Sequence, residues 1–538
     1  MIVLPEIFNT ASYFVDRNVL EGRGQKTAIE CGDQRISYKQ LQQQINRVGN
    51  ALRRLGVRRE ERVHLLLVDG PEFLFCFFGA IKIGAVAVPT NPYLKASDYE
   101  YLLNQSRARV VILSEQVLPQ FQEIPPARLR YVEDVVVVGS PGDSYQSFHN
   151  LIAQESAELE AEPTHRDDAA FWLFSSGSTG FPKGCVHLQH DMVVSSDRYA
   201  KGILGITEND RCYSVARLFF AYGLGNAGYF PLYVGATTIL SPLRPTPAGI
   251  YADIERYRPT LFYSVPTNYA ALLNHLPDRQ SDFDLSSIRH AISAGEALPA
   301  PIFHRFKQRF GIEILDSLGS TEALQMVIAN RPGEVKPGSS GKIIPGFEAK
   351  IVDEAGQPVA AGEIGNLLIK ADSTCAFYWN DHEKTKRTFI GPWFYTGDKY
   401  FQDEDGYFWY AGRSDDLFKV NGKWVSPTEV ESALLDHSAI QEAAVVARED
   451  DDGLAKPAAF VVIKPEYQPN GELSAELKTW VADRLGGYKQ PRWIEYLAAL
   501  PKTATGKLQR FKLRQYQAER RGHDSDGQCA SAALGDSD

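Results

Sequence analysis

The chain has 538 residues, of which 44% are hydrophobic and 11% aromatic, so it can bury the cores of several domains and is neither collagen-like nor disordered throughout. Its 57 lysines and arginines against 67 aspartates and glutamates give a formal charge of −10. The one arginine-rich stretch, residues 53–62, is interleaved with glutamates. The basic footprint of a duplex-binding protein is therefore missing, and no nucleic-acid partner is expected.

Helix-like and strand-like segments alternate in the first part of the chain. Apolar residues recur at helical spacing over Tyr38–Leu55 and Glu72–Ile83. The runs Val63–Val68, Val86–Pro89 and Phe171–Phe174 are typical of buried strands. This β-α-β alternation predicts a parallel sheet that is covered by helices.

The later part of the chain changes character twice. Turn signals at Asp353–Gly356 and Asp403–Gly406 predict a β-rich region from about residue 340 to 412. Beyond it, the pattern predicts a small α+β unit. Its expected helices are 428–435 and 474–485, and its expected strands are 443–447 and 458–464.

The predicted fold class is therefore α/β. We expect a large N-terminal domain of layered α/β subdomains with a β-rich subdomain over residues 1–414, and a small α+β domain over 415–516, to which the resemblance described below adds mobility. Residues 517–538 are rich in Arg, Gly, Asp and Ser and are expected to form a disordered tail.

The cysteines and the N-terminus bear on the compartment. Six cysteines lie far apart without a CxxC pair, which favours reduced thiols over a disulfide scaffold or a zinc site. The first residues lack the features of a signal peptide, and the longest strongly apolar stretch, Phe73–Ile81, is too short for a bilayer. We expect a cytoplasmic protein without a membrane partner. The oligomeric state stays open, with a dimer as one option.

A loop rich in glycine and hydroxyl side chains follows the strand-like run at Phe171–Phe174. Its candidate phosphate-binding residues are Ser175, Ser176, Gly177, Ser178, Thr179, Gly180 and Lys183. Glycines let backbone amides approach phosphate oxygens, hydroxyls donate hydrogen bonds, and a lysine adds positive charge. The loop is not a Walker A loop, because Lys183 is followed by Gly184. Taken alone, it fits a polyphosphate site or an ordinary surface loop.

Further motifs follow in an order that resembles the adenylate-forming superfamily of acyl-CoA synthetases, nonribosomal adenylation domains and luciferases. The resemblance covers the chain to about Arg514. The matching segments are the glycine-rich loop, residues 217–226, Ser293–Pro299, Asp316–Glu322, Tyr395–Asp398, Gly412–Asp415 and Pro501–Lys507. Four segments have sequences that resemble the benzoate-CoA ligase branch in particular: residues 218–226, 406–416, 424–427 and 501–512.

The resemblance implies a reaction in two steps with ATP, Mg²⁺ and CoA. A carboxylate would attack the α-phosphorus of ATP to give an acyl-AMP, and a thiol would then displace AMP. Lys507 would be catalytic, Thr321 would contact the α-phosphate, and Glu322 would hold Mg²⁺. Further cofactor-binding residues implied in this way are Ala294, Gly295, Glu296, Asp316, Ser317, Asp398, Arg413 and Gly422. Asp415 would be the hinge about which the C-terminal domain rotates between the two steps.

The resemblance also implies an acyl pocket lined by Phe219, Ala221, Tyr222, Gly223, Leu324 and Gln325. Ala221 and Gly223 would leave space beside aromatic faces, which favours a flat ring, although core packing explains the aromatic residues as well. Gln325 stands where the benzoate-CoA ligase branch typically has a histidine. Its amide favours an amino- or hydroxybenzoate if it bonds the ligand, and it is structural if it bonds the backbone.

Three functions follow from these residues. The first is an aryl-CoA ligase that acts on benzoate, 2-aminobenzoate or hydroxybenzoate. The second is a stand-alone adenylating enzyme that transfers the aromatic acyl group to the pantetheine thiol of a carrier protein. The third, a nucleotide-binding sensor without catalysis, is disfavoured because Lys183, Glu322 and Lys507 are all present.

Overall fold

The computed structural model describes residues 2–175, 182–275, 283–413, 416–420, 423–450, 454–502 and 508–524. The N-terminal part contains two mostly parallel sheets flanked by helices and one antiparallel sheet, and the C-terminal part is a smaller α+β unit. This architecture confirms the predicted α/β fold class.

The strands of the described residues are, in chain order, β1 (Thr27–Cys31), β2 (Gln34–Ser37), β3 (Arg62–Leu66), β4 (Val86–Pro89), β5 (Val110–Ser114), β6 (Asp134–Val138), β7 (Gln146–Ser147), β8 (Ala169–Ser175), β9 (Lys183–Leu188), β10 (Arg211–Ser214), β11 (Thr237–Leu240), β12 (Leu261–Ser264), β13 (His290–Ser293), β14 (Ile314–Gly319), β15 (Met326–Ala329), β16 (Lys342–Ile343), β17 (Glu348–Val352), β18 (Gly365–Lys370), β19 (Phe377–Tyr378), β20 (Phe389–Ile390), β21 (Trp393–Gln402), β22 (Phe408–Arg413), β23 (Phe418–Val420), β24 (Lys423–Val425), β25 (Ile440–Glu449), β26 (Ala455–Ile463) and β27 (Trp493–Tyr496).

The α-helices are α1 (Tyr38–Arg54), α2 (Pro71–Lys82), α3 (Ala96–Ser106), α4 (Leu118–Gln122), α5 (Phe148–Ala153), α6 (Asp191–Ser195), α7 (Ala221–Leu224), α8 (Phe230–Val234), α9 (Pro247–Tyr257), α10 (Pro266–Asn274), α11 (Ala300–Phe310), α12 (His382–Thr388), α13 (Pro427–Leu435), α14 (Gly471–Leu485) and α15 (Arg510–Asp524). Short π-helical turns occur at Ser12–Asp16, Val19–Arg23, Ser196–Lys201 and Gly225–Tyr229, and 3₁₀ turns at Glu115–Val117, Pro126–Arg128 and Gly487–Lys489.

Local chemistry explains where the predicted helices begin. At α1, the Gln40 amide donates to the Ser37 hydroxyl at 3.2 Å, and the Ser37 amide donates to the Gln40 side chain at 2.8 Å. This capping box satisfies two helix-end donors. α2 begins at Pro71, where a missing N–H costs nothing. α14 begins three residues before its predicted start, because the Asn470 side chain caps the amide of Leu473 at 2.7 Å.

Two sheets dominate the N-terminal part. Within the described residues, one has the strand order β19-β9-β8-β4-β3-β5-β6-β7, and the other has the order β16-β15-β14-β13-β12-β10-β11-β1-β2. In the first sheet the neighbours in the run β8-β4-β3-β5-β6-β7 pair in parallel, and in the second sheet so do those in the run β14-β13-β12-β10-β11-β1. The strands outside these runs pair antiparallel. The loops that follow parallel strands gather at one edge of each sheet, which is where ligands bind in such folds.

The third sheet corresponds to the predicted β-rich region. Its order is β17-β18-β21-β20, with β22 also paired to β21. Both predicted turns are present, since the amide of Gly356 donates to the carbonyl of Asp353 at 3.1 Å and that of Gly406 to Asp403 at 3.0 Å. The pairing of β21 with β22 places Asp398 opposite Arg413.

The C-terminal unit has a hydrophobic core of its own. The hairpin β23-β24 and the sheet β25-β26-β27 pack with α13 and α14 around Val430, Leu434, Val445, Leu477 and Val481. A separate core of this kind is typical of a domain. The predicted boundary between 414 and 415 lies outside the described residues.

The structure differs from the prediction of a disordered tail from residue 517. α15 continues to Asp524, eight residues into that segment. The helix is anchored by Leu513, which is fully buried, and by the ring of Tyr516, which lies 6.1 Å from that of Phe460. This packing compensates for the polar composition that indicated disorder. No helix in the described part of the chain combines the length and apolar character needed to cross a bilayer.

A buried ion pair gives a test of the N-terminal core. The side chain of Lys82 is 1% exposed, and its Nζ lies 2.8 Å from Asp16 Oδ1 and 2.6 Å from Asn46 Oδ1. Burial lowers the pKa of Lys82, and Asp16 opposes this effect. Asp16→Ala should destabilise the protein by about 3–5 kcal/mol, because it leaves a buried charge without its counterion. Lys82→Met should cost less, because it removes the charge itself. Chemical unfolding measures both variants, and equal losses would contradict this account.

Candidate active site

The two ends of the predicted phosphate loop lie side by side. β8 ends at Ser175 and β9 begins at Lys183, and the two residues are paired across the antiparallel strands. The residues between these ends include the predicted phosphate ligands Ser176, Gly177, Ser178, Thr179 and Gly180, which lie outside the described residues. The loop therefore leaves and re-enters the sheet at the edge where ligands bind in parallel folds.

Glu322 lies against this loop. Its Oε1 accepts hydrogen bonds from the Ser175 hydroxyl at 3.1 Å and the Tyr378 hydroxyl at 2.9 Å. Its backbone carbonyl accepts from the amide of Cys375 at 2.7 Å. Among the described residues, Oε2 receives no hydrogen bond. A single carboxylate beside a phosphate loop fits Mg²⁺, which prefers oxygen ligands and is usually held by one or two carboxylates together with substrate phosphates.

Lys183, at the start of β9, carries the positive charge at the end of the predicted phosphate loop. Its Nζ lies 5.7 Å from the centroid of the Tyr378 ring. Burial, with a smaller contribution from Lys384, lowers the pKa of Lys183, while Asp381 and Glu322 oppose the shift. A partly desolvated ammonium at this position can act as a point charge on a phosphate.

Thr321 is fixed by a histidine that the sequence analysis missed. His187 Nε2 lies 2.8 Å from the carbonyl oxygen of Thr321, and Nδ1 lies 2.8 Å from Asp191 Oδ2. The His187 and Asp191 side chains are fully buried, and the imidazole stacks on Phe171 with a centroid distance of 5.1 Å. The peptide that joins Thr321 to Glu322 is thus held from the strand that carries Lys183. The sequence feature that could have indicated this role is the presence of two histidines and one aspartate within residues 187–191.

The segment Ser293–Pro299, which contains the predicted cofactor-binding residues Ala294, Gly295 and Glu296, begins at the end of β13. Ala294 is buried, and Gly295 has a φ of 91°, a left-handed conformation that favours glycine. The side chain of Glu296 accepts a hydrogen bond from the amide of Leu508 at 3.2 Å. Leu508 belongs to the C-terminal unit and directly follows the predicted catalytic residue Lys507. Lys507 itself lies outside the described residues.

Asp316 and Ser317, the next predicted cofactor-binding residues, are buried, with exposed fractions of only 3% and 4%. Asp316 Oδ2 accepts from the amide of Leu298 at 3.2 Å, and β14 places Asp316 beside Ser293 of β13. Burial raises the pKa of Asp316 to about 8. The carboxyl group therefore supports residues 293–298 from behind.

Asp398 and Arg413, two of the predicted cofactor-binding residues, form an ion pair. Arg413 donates to Asp398 Oδ1 at 3.0 Å, and the arginine side chain is about half exposed. Asp398 lies inside β21, where the preceding Gly397 has a φ of 75°. The salt bridge therefore leaves the guanidinium of Arg413 accessible.

Most of the predicted acyl-pocket residues are buried. Phe219 is 6% exposed, Ala221 9% and Leu324 0%, and the Tyr222 hydroxyl donates to the backbone carbonyls of Ser264 and Ile292. The interpretation of Gly223 as an opening for the ring is wrong. A Cβ at this position would lie 2.0 Å from the carbonyl oxygen of Arg217. Gly223 is required by the close approach of two backbone segments.

Gln325 is held by the backbone of α7. Its Nε2 donates to the carbonyls of Ala221 at 2.7 Å and Tyr222 at 3.0 Å, and the residue is 2% exposed. A Cβ at Gly225 would lie 2.0 Å from this nitrogen, so the two residues fit only as a pair. Gln325 Oε1 is buried and has no hydrogen-bond partner within bonding geometry among the described residues. Burial raises the pKa of the nearby Tyr229 hydroxyl, and the Gln325 side chain lies close enough to oppose this larger effect. Of the two alternatives for Gln325, backbone bonding therefore accounts for the nitrogen and not for the oxygen.

The remaining predicted residues, Gly422 and the hinge candidate Asp415, lie outside the described residues.

Comparisons with known proteins identify the family. Residues 16–379 match the AMP-binding enzyme family, and residues 429–507 match the AMP-binding enzyme C-terminal domain. The chain is 48% identical to a benzoate-CoA ligase of Thauera aromatica, over 95% of this chain and 97% of the relative. It is 43% identical to a 4-hydroxybenzoate-CoA/benzoate-CoA ligase of Rhodopseudomonas palustris, over 94% of each chain. A crystal structure of the anthranilate CoA ligase AuaEII with anthranoyl-AMP matches with a TM-score of 0.93 and 44% identity, over 96% of this chain and 99% of that one.

The chain belongs to the AMP-binding enzyme family, in its benzoate-CoA ligase-like branch. It is an AMP-forming aryl-CoA ligase, and the cofactors of this class are ATP, Mg²⁺ and CoA.

The buried carboxyl group of Asp316 predicts a pH dependence. Its pKa rises from 3.8 to about 8 in the folded state, so folding favours the protonated form. The contribution is fully present below pH about 4 and is lost as the pH rises towards 8. Asp316→Asn, which cannot ionise, should escape this loss. The free energy of unfolding of the variant, relative to the native protein, should thus rise by a few kcal/mol between pH 5 and 8. A constant difference across these pH values would contradict the buried neutral carboxyl group.

Proposed function

We propose that this enzyme activates a small aromatic carboxylic acid whose ring carries a hydrogen-bond donor, with 2-aminobenzoate as the leading candidate. The acid is activated as the acyl-AMP and transferred to the thiol of CoA. The observation that carries this proposal is the orientation of the Gln325 amide.

Gln325 can only accept a hydrogen bond from a ligand. Its nitrogen faces two backbone carbonyls, which cannot donate, so the amide nitrogen rather than the oxygen must occupy that position. The remaining polar atom, Oε1, is buried and needs a donor. An amino or hydroxyl group on the ring supplies one, whereas benzoate has none. An unpaired buried amide oxygen costs about 1–3 kcal/mol, which is about 5- to 150-fold in specificity.

The relatives support this range of substrates. The similar proteins described above are named for benzoate, for 4-hydroxybenzoate and for anthranilate, which is 2-aminobenzoate. All three are flat rings with one carboxylate. The choice among them therefore depends on the ring substituent, which is where Gln325 acts.

The first step brings the carboxylate of the acid together with the negatively charged phosphates of ATP. The chain therefore mainly supplies positive charge and orientation. Lys183 binds the β- and γ-phosphates with the rest of the phosphate loop, while the Ser175 hydroxyl donates its one hydrogen to Glu322. Thr321 contacts the α-phosphate, and Lys507 stabilises the charge that develops there and on the carboxylate. Mg²⁺, held by Glu322, neutralises phosphate charge when bound. Asp398 and Arg413 bind the ribose.

The second step requires a different position of the C-terminal unit. The hydrogen bond from Leu508 to Glu296 belongs to an arrangement in which the segment after Lys507 reaches the nucleotide turn. We propose that rotation about Asp415 withdraws Lys507 and brings Gly422 towards the thiol. The acceptor is CoA, and the pantetheine thiol of a carrier protein is the alternative.

One experiment separates the three functions. AMP and pyrophosphate release are measured with 2-aminobenzoate alone, with CoA and with a pantetheinylated carrier protein. We expect continuous AMP release only with CoA. Release with the carrier protein alone would identify the stand-alone adenylating enzyme, and no pyrophosphate release with any aromatic acid would identify a sensor.

Gln325 predicts the order of substrates. The kcat/KM for 2-aminobenzoate or 4-hydroxybenzoate should exceed that for benzoate by about 5- to 150-fold, and octanoate should be poor. Gln325→Met, which keeps the length and removes the acceptor, should reduce this preference. Gln189→Met is the matched control, because Gln189 is a buried amide that accepts from the Thr10 backbone at 2.9 Å. A preference for benzoate over every substituted ring would leave Gln325 with a structural role, and a preference for octanoate would exclude an aromatic substrate.

Lys507 predicts a separation of the two half-reactions. Lys507→Ala should slow acyl-AMP formation by about 100-fold or more, because a charge contact of the transition state is removed. Thioester formation from supplied acyl-AMP should be largely unchanged. Lys512→Ala, which removes an exposed lysine of α15, is the control for the loss of a C-terminal charge. An equal loss in both half-reactions would contradict the two-position account.

A further inference from the structure

Tyr378 contacts two groups of the candidate site, although no sequence motif singled it out. It is 4% exposed and lies on β19, opposite Cys185 of β9. Its hydroxyl donates to Glu322 Oε1 at 2.9 Å, and its ring lies 5.7 Å from the Nζ of Lys183. One side chain thus touches the carboxylate that would hold the metal and the lysine that would hold the phosphates.

We propose that Tyr378 is a positioning residue that orients the Glu322 carboxylate for Mg²⁺ and supports Lys183 from beneath. This inference rests on the metal-binding role of Glu322 in the proposed function. Tyr378 acts through Glu322 and Lys183 and does not touch the reacting atoms.

The hydrogen bonds explain how the carboxylate is oriented. The Tyr378 and Ser175 hydroxyls both donate to Oε1, from β19 and from the end of β8. A carboxylate that accepts two hydrogen bonds on one oxygen cannot rotate freely and presents its other oxygen in a fixed direction. Among the described residues that other oxygen, Oε2, accepts no hydrogen bond. The arrangement therefore leaves one oxygen for a cation.

The position of Tyr378 is itself fixed. Its backbone amide donates to the Thr385 hydroxyl at 3.1 Å, and its ring lies 5.4 Å from that of Phe389. Three residues earlier, the amide of Cys375 donates to the carbonyl of Glu322 at 2.7 Å. The segment 375–378 therefore holds both the backbone and the side chain of Glu322.

The ring and the hydroxyl have separable effects. An ammonium within about 6 Å of an aromatic centroid is attracted by the ring face. Tyr378→Phe keeps this ring and removes only the hydroxyl. Tyr378→Leu removes both.

The test measures metal binding without turnover. Full-length enzyme is mixed with a non-hydrolysable ATP analogue in the absence of acid and CoA, and Mn²⁺ binding is followed by electron paramagnetic resonance. Tyr378→Phe should weaken Mn²⁺ binding by about 10-fold or more, as the loss of a residue that orients a metal ligand typically does. Binding of the analogue in EDTA should be unchanged in Tyr378→Phe and weaker in Tyr378→Leu.

The matched control is Tyr251→Phe. Tyr251 is fully buried, its hydroxyl donates to the backbone carbonyl of Leu272 at 3.0 Å, and it lies in a different hydrophobic cluster. The variant also loses one buried tyrosine hydroxyl and its hydrogen bond, so its unfolding midpoint should fall, while its Mn²⁺ affinity stays within about twofold of the native value. Equal Mn²⁺ affinities of Tyr378→Phe and Tyr251→Phe would overturn the proposal.

Glu322→Gln separates failure of this proposal from failure of the metal assignment. If Glu322→Gln abolishes Mn²⁺ binding and Tyr378→Phe does not weaken it, only the role of Tyr378 is wrong. If Glu322→Gln binds Mn²⁺ as tightly as the native enzyme, the metal role of Glu322 is wrong and the proposal for Tyr378 falls with it.

Discussion

The site depends on the way in which one sheet holds a peptide of the other. Thr321 and Glu322 follow β14 of one sheet, and three side chains of the other sheet hold them: His187 of β9 bonds the Thr321 carbonyl, and Ser175 of β8 and Tyr378 of β19 bond the Glu322 carboxylate. Neither sheet alone defines the position of the carboxylate. The relative position of the two sheets therefore sets the distance between the residues proposed to bind phosphate and the carboxylate proposed to bind metal.

Burial strengthens the hydrogen bonds of the polar side chains at the candidate site. His187 and Asp191 are fully buried, Asp316 is 3% exposed and Gln325 is 2% exposed. A hydrogen bond in such surroundings is stronger than in water, and a missing partner is correspondingly costly. At the proposed nucleotide and acyl positions, a ligand can provide a partner that the chain does not.

The sequence predicted the periodic elements well. α1, α2 and the strands of the C-terminal unit were found from their apolar spacing, because their buried faces follow a local repeat. His187 and Tyr378 were missed, because their roles arise from contacts 134 and 56 residues away along the chain. Gly223 was misread for the same reason, since a small residue can leave a space or admit another backbone, and only the fold decides between the two.

The fit between Gly225 and Gln325 constrains the order in which the acyl pocket can change. A Cβ at 225 would lie 2.0 Å from the amide nitrogen of Gln325, so that substitution forces the Gln325 amide to leave the carbonyls of Ala221 and Tyr222. Shortening residue 325 first removes the obstacle, although it releases the carbonyls of Ala221 and Tyr222. The two routes to the same double variant are therefore unequal, and drift or directed evolution towards a new ring substituent should pass through residue 325 before residue 225.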